Sequence, residues 1–189
     1  MRKIIMNLAV SLDGFIEGPN GELDWLTRDS TIDFADILNE ILSDMDIIFY
    51  GRKSYDKWGN FWPEEESSQK LKNAYHRMHS KQKYVFSRTK TNDGTEAIFI
   101  NDHVQASVEQ IKQRHGKNIW LYGGAELASE LINLNLVDEY RLAVHPVILG
   151  KGKPLFQGIT EKQKLQLIEA KGHASGVVLL TYSTAAAGL

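Results

Sequence analysis

The chain contains no cysteine and only four prolines among its 189 residues. Without thiols there is no disulfide framework, no thiolate nucleophile and no cysteine metal ligand, which fits a reducing, cytoplasmic setting. No apolar run approaches the length needed to cross a bilayer, and the short run Ile4-Ile5-Met6 after Arg2 and Lys3 is too brief for a signal-peptide core. An excess of positive charge is missing too. Lys and Arg number 22 against 24 Asp and Glu, a net charge of −2. That balance argues against nucleic acid as the main partner, because such proteins carry a basic face. There is no internal repeat, long linker or low-complexity tract. The nucleophile-elbow pattern Gly-x-Ser-x-Gly and the phosphate loop Gly-x-x-x-x-Gly-Lys-Ser/Thr are absent, and His76 and His79 lack a third ligand in the sequence. Hydrolase, ATPase and metalloenzyme readings therefore rank low, and no metal is expected.

What is present is an ordinary globular composition, 42% apolar and 24% charged. The length fits one domain over residues 1–184, with an Ala-rich frayed tail over 185–189. The apolar pattern predicts a strand over residues 3–10, then a long loop carrying Gly14, Gly18, Pro19, Asn20 and Gly21 as far as Arg28. Thr31 is placed to cap a helix whose apolar positions are Phe34, Ile37, Leu38, Ile41 and Leu42. A strand over 47–50, a short helix through Tyr55 and Trp58, a solvated excursion over 59–68 and a helix near 71–79 follow. Strands at 84–86 and 98–100, a helix carrying Val104, Val108 and Ile111, and a strand at 119–122 complete the alternation. Beyond Leu136 the pattern turns to strands, with Val137, Leu142, Val144, Val147 and Ile148 in one β-rich stretch and further strands near 165–169 and 177–182. Alternating strand and helix implies right-handed crossovers and a parallel sheet, and the strand-rich end implies antiparallel additions at one edge.

Two segments make the same chemical offer. In Ile119-Trp120-Leu121-Tyr122-Gly123-Gly124-Ala125-Glu126 an apolar strand stops at paired glycines and a helix begins at once. In Ile47-Ile48-Phe49-Tyr50-Gly51-Arg52-Lys53-Ser54 a strand again ends in glycine, now followed by two cations and a hydroxyl. Glycine lets a ligand approach the backbone closely, and a helix start offers unpaired N–H groups that suit a phosphate. Two such turns suggest a dinucleotide with several phosphates, bound where ligands of open α/β sheets bind, at the carboxyl ends of the strands.

Ser11-Leu12-Asp13-Gly14, Gly51-Arg52-Lys53-Ser54-Tyr55, Phe86-Ser87-Arg88, Tyr122-Gly123-Gly124-Ala125 and His145-Pro146-Val147-Ile148-Leu149-Gly150, in that order and spacing, resemble the dihydrofolate reductase-like superfamily. Nearest is the reductase domain of the bifunctional riboflavin-biosynthesis deaminase-reductase and its small stand-alone relatives. The resemblance spans nearly the whole chain. It implies a three-layer α/β/α fold around a mixed, mostly parallel central sheet with antiparallel C-terminal strands. It also implies an NADPH-dependent reductase and a homodimer, while the charge balance and the lack of a long apolar run leave no nucleic-acid or membrane partner expected. The substrate would be a small heterocycle or a ribosyl-aminouracil phosphate of riboflavin biosynthesis. The alternatives are a dihydrofolate or pterin reductase and a non-catalytic NADP-binding module.

On this resemblance Arg52 meets the 2′-phosphate, for which a guanidinium offers paired hydrogen bonds. Gly51, Lys53 and Ser54 share that turn. Ser87 and Arg88 hold the adenosine end. Gly123, Gly124, Ala125, Glu126 and Leu127 hold the pyrophosphate through backbone amides, with the Glu126 side chain turned away. Asp13 is the candidate catalytic or substrate-orienting group, because the family's loop after the first strand covers nicotinamide and substrate. The competing reading makes Asp13 and Gly14 an ordinary turn. Trp25 walls the substrate or closes the core. Asp33 and Asp36 lie where true dihydrofolate reductases place their pteridine-binding acid, but Ala143 stands where those enzymes carry a threonine. Lys151 and Lys153 form a solvated turn or contribute to a phosphate pocket.

Overall fold

The computed structural model describes residues 1–27 and 33–185. In chain order the elements begin with β1 (Ile4–Ser11), β2 (Phe15–Glu17), α1 (Phe34–Ser43), β3 (Met45–Gly51), α2 (Arg52–Trp58) and α3 (Gln69–His79). There follow β4 (Gln82–Phe86), β5 (Ile98–Ile100), α4 (Val104–Gln113), β6 (Asn118–Gly123) and α5 (Ala125–Asn133). The last strands are β7 (Glu139–His145), β8 (Lys153–Pro154), β9 (Leu165–Gly172) and β10 (Val178–Thr184). The chain divides into two compact units, one of Met1–Arg2 and Asp29–Gly124, the other of Lys3–Arg28 and Ala125–Leu189.

In the first unit the strands run in the order β5-β4-β3-β6 and are parallel throughout. Ile47, Ile48, Phe49 and Tyr50 are all buried, the continuous apolar run expected of a parallel strand covered on both faces. α1 buries Ala35, Leu38 and Leu42 at helical spacing. Its N-cap is Asp33, whose carboxylate accepts the Ala35 N–H at 2.8 Å; the expected cap, Thr31, lies outside the described residues. An acid can cap as well as a threonine, and the sequence pattern does not discriminate between caps two residues apart. Arg2 is buried beneath this unit's edge, ion-paired with Asp46 and donating to the carbonyls of Arg114 and His115.

In the second unit β1 and β7 pair in parallel from Ile5 opposite Glu139 to Ser11 opposite His145. β10 is antiparallel to both β7 and β9, so the strand-rich end contributes the antiparallel part, as the pattern predicts. β7 ends at His145, short of Val147 and Ile148, because Pro146 has no N–H to extend the ladder. The loop after β1 is not structureless. Phe15–Glu17 pairs antiparallel with Lys153–Pro154, a small second sheet between stretches far apart in the chain.

Candidate functional site

The register of the first unit places the sequence-predicted turns side by side. Gly51 stands opposite Phe86 and Tyr50 opposite Gly123. The turns after β3, β4 and β6 therefore open at one carboxyl edge of three adjacent parallel strands. This gathers Gly51, Arg52, Lys53 and Ser54, then Ser87 and Arg88, then Gly123 and Gly124. Gly123 has φ of +119°, a region that side-chain-bearing residues rarely adopt, and its peptide bond to Gly124 is cis. α5 begins at the next residue. Ala125 and Leu127 are buried, while Glu126 is exposed.

Arg52 is half-buried and ion-paired with Asp56 one helical turn on. Its Nε is buried without a hydrogen-bond partner among the described residues. Buried donors are normally satisfied, so this one is a fit for an anionic oxygen. Arg88 is exposed and makes no ion pair among the described residues. Ser87 is different. Its Oγ accepts the N–H groups of Lys90 at 2.8 Å and Thr89 at 3.3 Å, and Asn101 Nδ2 donates to the carbonyls of Ser87 and Lys90, both at 2.7 Å. Its hydroxyl thus fastens the turn that presents Arg88. Two cations, an unused buried donor and a side-chain-free backbone form a donor set suited to a phosphorylated dinucleotide.

Sequence reasoning missed two phenols at this edge. Tyr50 is fully buried, and its Oη has no hydrogen-bond partner among the described residues. Its ring lies 4.8 Å from that of Tyr122 and 5.7 Å from that of Tyr55. Burial pushes the Tyr50 and Tyr122 phenols well up from the ordinary tyrosine value, so both stay protonated. The signal was there, since each of these tyrosines immediately precedes the glycine of a turn.

The pteridine-binding candidates have other work. Asp33 caps α1, and Asp33 and Asp36 both pair with Lys70, at 3.2 and 2.6 Å. Hydrogen bonding to Ala35 leads the causes that lower the Asp33 pKa. Both carboxylates are exposed and committed to α1 and α3, an arrangement unlike a substrate pocket.

In the second unit Asp13 sits in the turn Ser11–Gly14, closed by Gly14 N–H to the Ser11 carbonyl at 2.9 Å. Its carboxylate accepts from Ser11 Oγ at 2.7 Å, Leu149 N–H at 3.1 Å and Gly150 N–H at 2.8 Å. Desolvation opposes the charge, but the bonds from Ser11, Gly150 and Leu149 prevail and lower its pKa. Such a group is an ionised fastener between two turns, and the geometry does not supply the proton-donor role. Trp25 Nε1 donates to the Glu22 carbonyl at 3.1 Å, and its ring meets His145 edge-on at 5.5 Å. His145 Nδ1 accepts the Thr27 N–H at 3.0 Å, and burial lowers its pKa, so the imidazole is neutral. Trp25 and His145 together hold the segment 22–27 to the end of β7.

Parallel strands ending in glycine turns, a cation beside the second strand turn and antiparallel C-terminal strands define a dihydrofolate reductase-like fold. The model of the RibD C-terminal domain family matches residues 2–179. The chain belongs to that family, and its domain is of the reductase type. The uncharacterized protein YyaP of Bacillus subtilis (strain 168) is 50% identical over 181 residues, covering 96% of this chain and 94% of its own. A pyrimidine reductase-like protein from Corynebacterium diphtheriae superposes with a TM-score of 0.69 at 17% identity, over 98% of this chain and 92% of its own. The deaminase/5-amino-6-(5-phosphoribosylamino)uracil reductase of Thermotoga maritima superposes with a TM-score of 0.70 at 16% identity, over 97% of this chain and 57% of its own.

Proposed function

We propose that the protein is an NADPH-dependent reductase that delivers hydride to a small heterocyclic or ribosyl-aminouracil substrate. The observation that carries this reading is the in-register edge where Arg52, Arg88 and the Gly123–Gly124 turn converge, with a buried donor of Arg52 unused among the described residues. When bound, NADPH supplies the hydride. Arg52 would hold the 2′-phosphate, Arg88 the adenosine end, and the amides from Gly123 to Leu127 the pyrophosphate. Asp13 acts by locking the Leu149–Gly150 turn to the Ser11–Gly14 turn, and so shapes the substrate-side loop. The engagement of Asp33 and Asp36 with Lys70 favours this over dihydrofolate or pterin reduction.

A second reading, an NADP-binding module without turnover, is favoured by one observation: the candidate acid Asp13 accepts three hydrogen bonds that fasten turns. Titration with NADPH and NADH, followed by tryptophan quenching, tests the cofactor assignment. Oxidation of NADPH in the presence of the aminouracil ribosyl phosphate separates enzyme from module. Failure to bind either cofactor overturns both readings.

The proposal extends to a cytoplasmic homodimer. β9 is an edge strand with all eight residues exposed, among them Leu165, Leu167 and Ile168. Exposed apolar edge strands are usually covered in the working protein.

A further inference from the structure

Tyr50 Oη is the most anomalous polar atom in the first unit. The residue is 0% exposed, and its hydroxyl has no partner among the described residues. Burying a hydroxyl without a hydrogen bond is costly, and phenylalanine would fill the same space without that cost. Packing alone therefore does not account for a tyrosine here. The neighbouring Tyr55 shows the ordinary solution, since its hydroxyl meets Thr95 Oγ1 at 2.9 Å. Tyr50 stands instead at the carboxyl end of β3, opposite Gly123 and one residue before the Gly51 turn.

Its surroundings select the missing partner. The ring of Tyr122 leans on that of Tyr50 at 38°, and among the described residues the titratable groups that act on the phenol are the tyrosines Tyr122, Tyr55 and Tyr75. None of these three is a cation, so an anion at the Tyr50 hydroxyl would be uncompensated in this apolar place, and a phosphate is a poor partner. The phenol remains protonated at any physiological pH and is available as a donor. A neutral oxygen of a carbonyl or carboxamide matches both conditions.

We propose that Tyr50 Oη, backed by Tyr122, donates a hydrogen bond to a neutral amide or carbonyl oxygen of the bound ligand, and so recognises its uncharged ring rather than its phosphates. This rests on the reductase reading, which offers two sources of such an oxygen: the nicotinamide carboxamide and a ring carbonyl of the substrate.

The test is Tyr50→Phe, compared with the wild type in three titrations and a thermal melt. The probes are NADPH, the adenosine bisphosphate fragment that lacks the nicotinamide half, and diaminouracil added to NADP-loaded protein. The expected result is an unchanged or raised melting temperature of the free protein, since an unsatisfied hydroxyl is removed. Binding of one ring-bearing probe weakens roughly threefold to tenfold, the worth of one hydrogen bond, while the bisphosphate fragment binds as before. Loss confined to NADPH identifies the carboxamide as acceptor, and loss confined to diaminouracil identifies the substrate carbonyl. Three unchanged affinities overturn the proposal, and so does a marked fall in melting temperature, which would mean that Oη is bonded within the protein. A wild type that binds no NADPH removes the reductase reading and this inference with it, whereas a wild type that binds NADPH beside an unaltered variant removes this inference alone.

Discussion

Replacing Arg52 with alanine should separate the two nicotinamide cofactors. A guanidinium–phosphate contact is charge-assisted and forked, and a hydrogen bond to a charged group contributes about 1.5–3 kcal/mol. The structure lowers that figure here. The Arg52 side chain is 35% exposed, and it already shares its charge with Asp56, itself 45% exposed. Water screens the contact, and part of the ion pair with Asp56 is given up when a phosphate arrives. About 1–2 kcal/mol then remains, which corresponds to NADPH binding roughly 5-fold to 30-fold weaker. NADH, without the 2′-phosphate, should change less than about twofold, within the margin for a surface substitution. The assay is tryptophan quenching by each cofactor, using the four native tryptophans. Repeating it between about 0.01 and 1 M salt adds a second check, because the wild-type preference for NADPH should shrink as salt screens the contact. Asp56→Asn should leave NADPH binding unchanged or tighter, since it releases the competing carboxylate. Equal losses for NADPH and NADH in Arg52→Ala would refute the 2′-phosphate assignment.

Three further outcomes are expected. Burial lowers the pKa of His145 and of His79, so between those folded values and the ordinary value of about 6.5 the unfolded chain binds more protons. Stability from these groups is complete above about pH 6.5 and falls as pH drops through that window. His145→Phe should flatten part of the acid limb in chemical denaturation, and an unaltered limb would remove His145 as a contributor. Asp13→Ala should speed amide exchange at Leu149 and Gly150 while leaving NADPH affinity near wild type, and unchanged exchange at both would show that the carboxylate does not fasten that turn. Light scattering should give a dimer for the wild type and a monomer for Leu167→Lys, whereas a wild-type monomer at micromolar concentration would eliminate the β9 contact.

Much of this molecule is local in origin, and for that reason its outline is legible in the chain. The spacing of Leu38 and Leu42 marks the buried face of α1, and the run Ile47–Tyr50 marks a fully covered strand. Glycine directly after a strand and before a helix marks both turns, because close backbone approach is a property of single residues, as is the positive φ at Gly123. The fold class and the positions of Arg52, Arg88 and Gly123 thus follow from sequence pattern and resemblance. The fates of polar side chains do not, since each depends on what distant segments bring within hydrogen-bond reach. Asp13 is occupied by amides 136 and 137 residues away, and Phe15 finds its strand partner at Pro154. Asp33 and Asp36 are occupied by Lys70 from another helix. Tyr50 is set apart from Tyr55 only because tertiary packing gives one phenol a partner and leaves the other without one among the described residues. Periodicity along the chain therefore determined which residues are buried and where the turns open, while three-dimensional proximity alone decided which buried or charged groups remain available to a ligand.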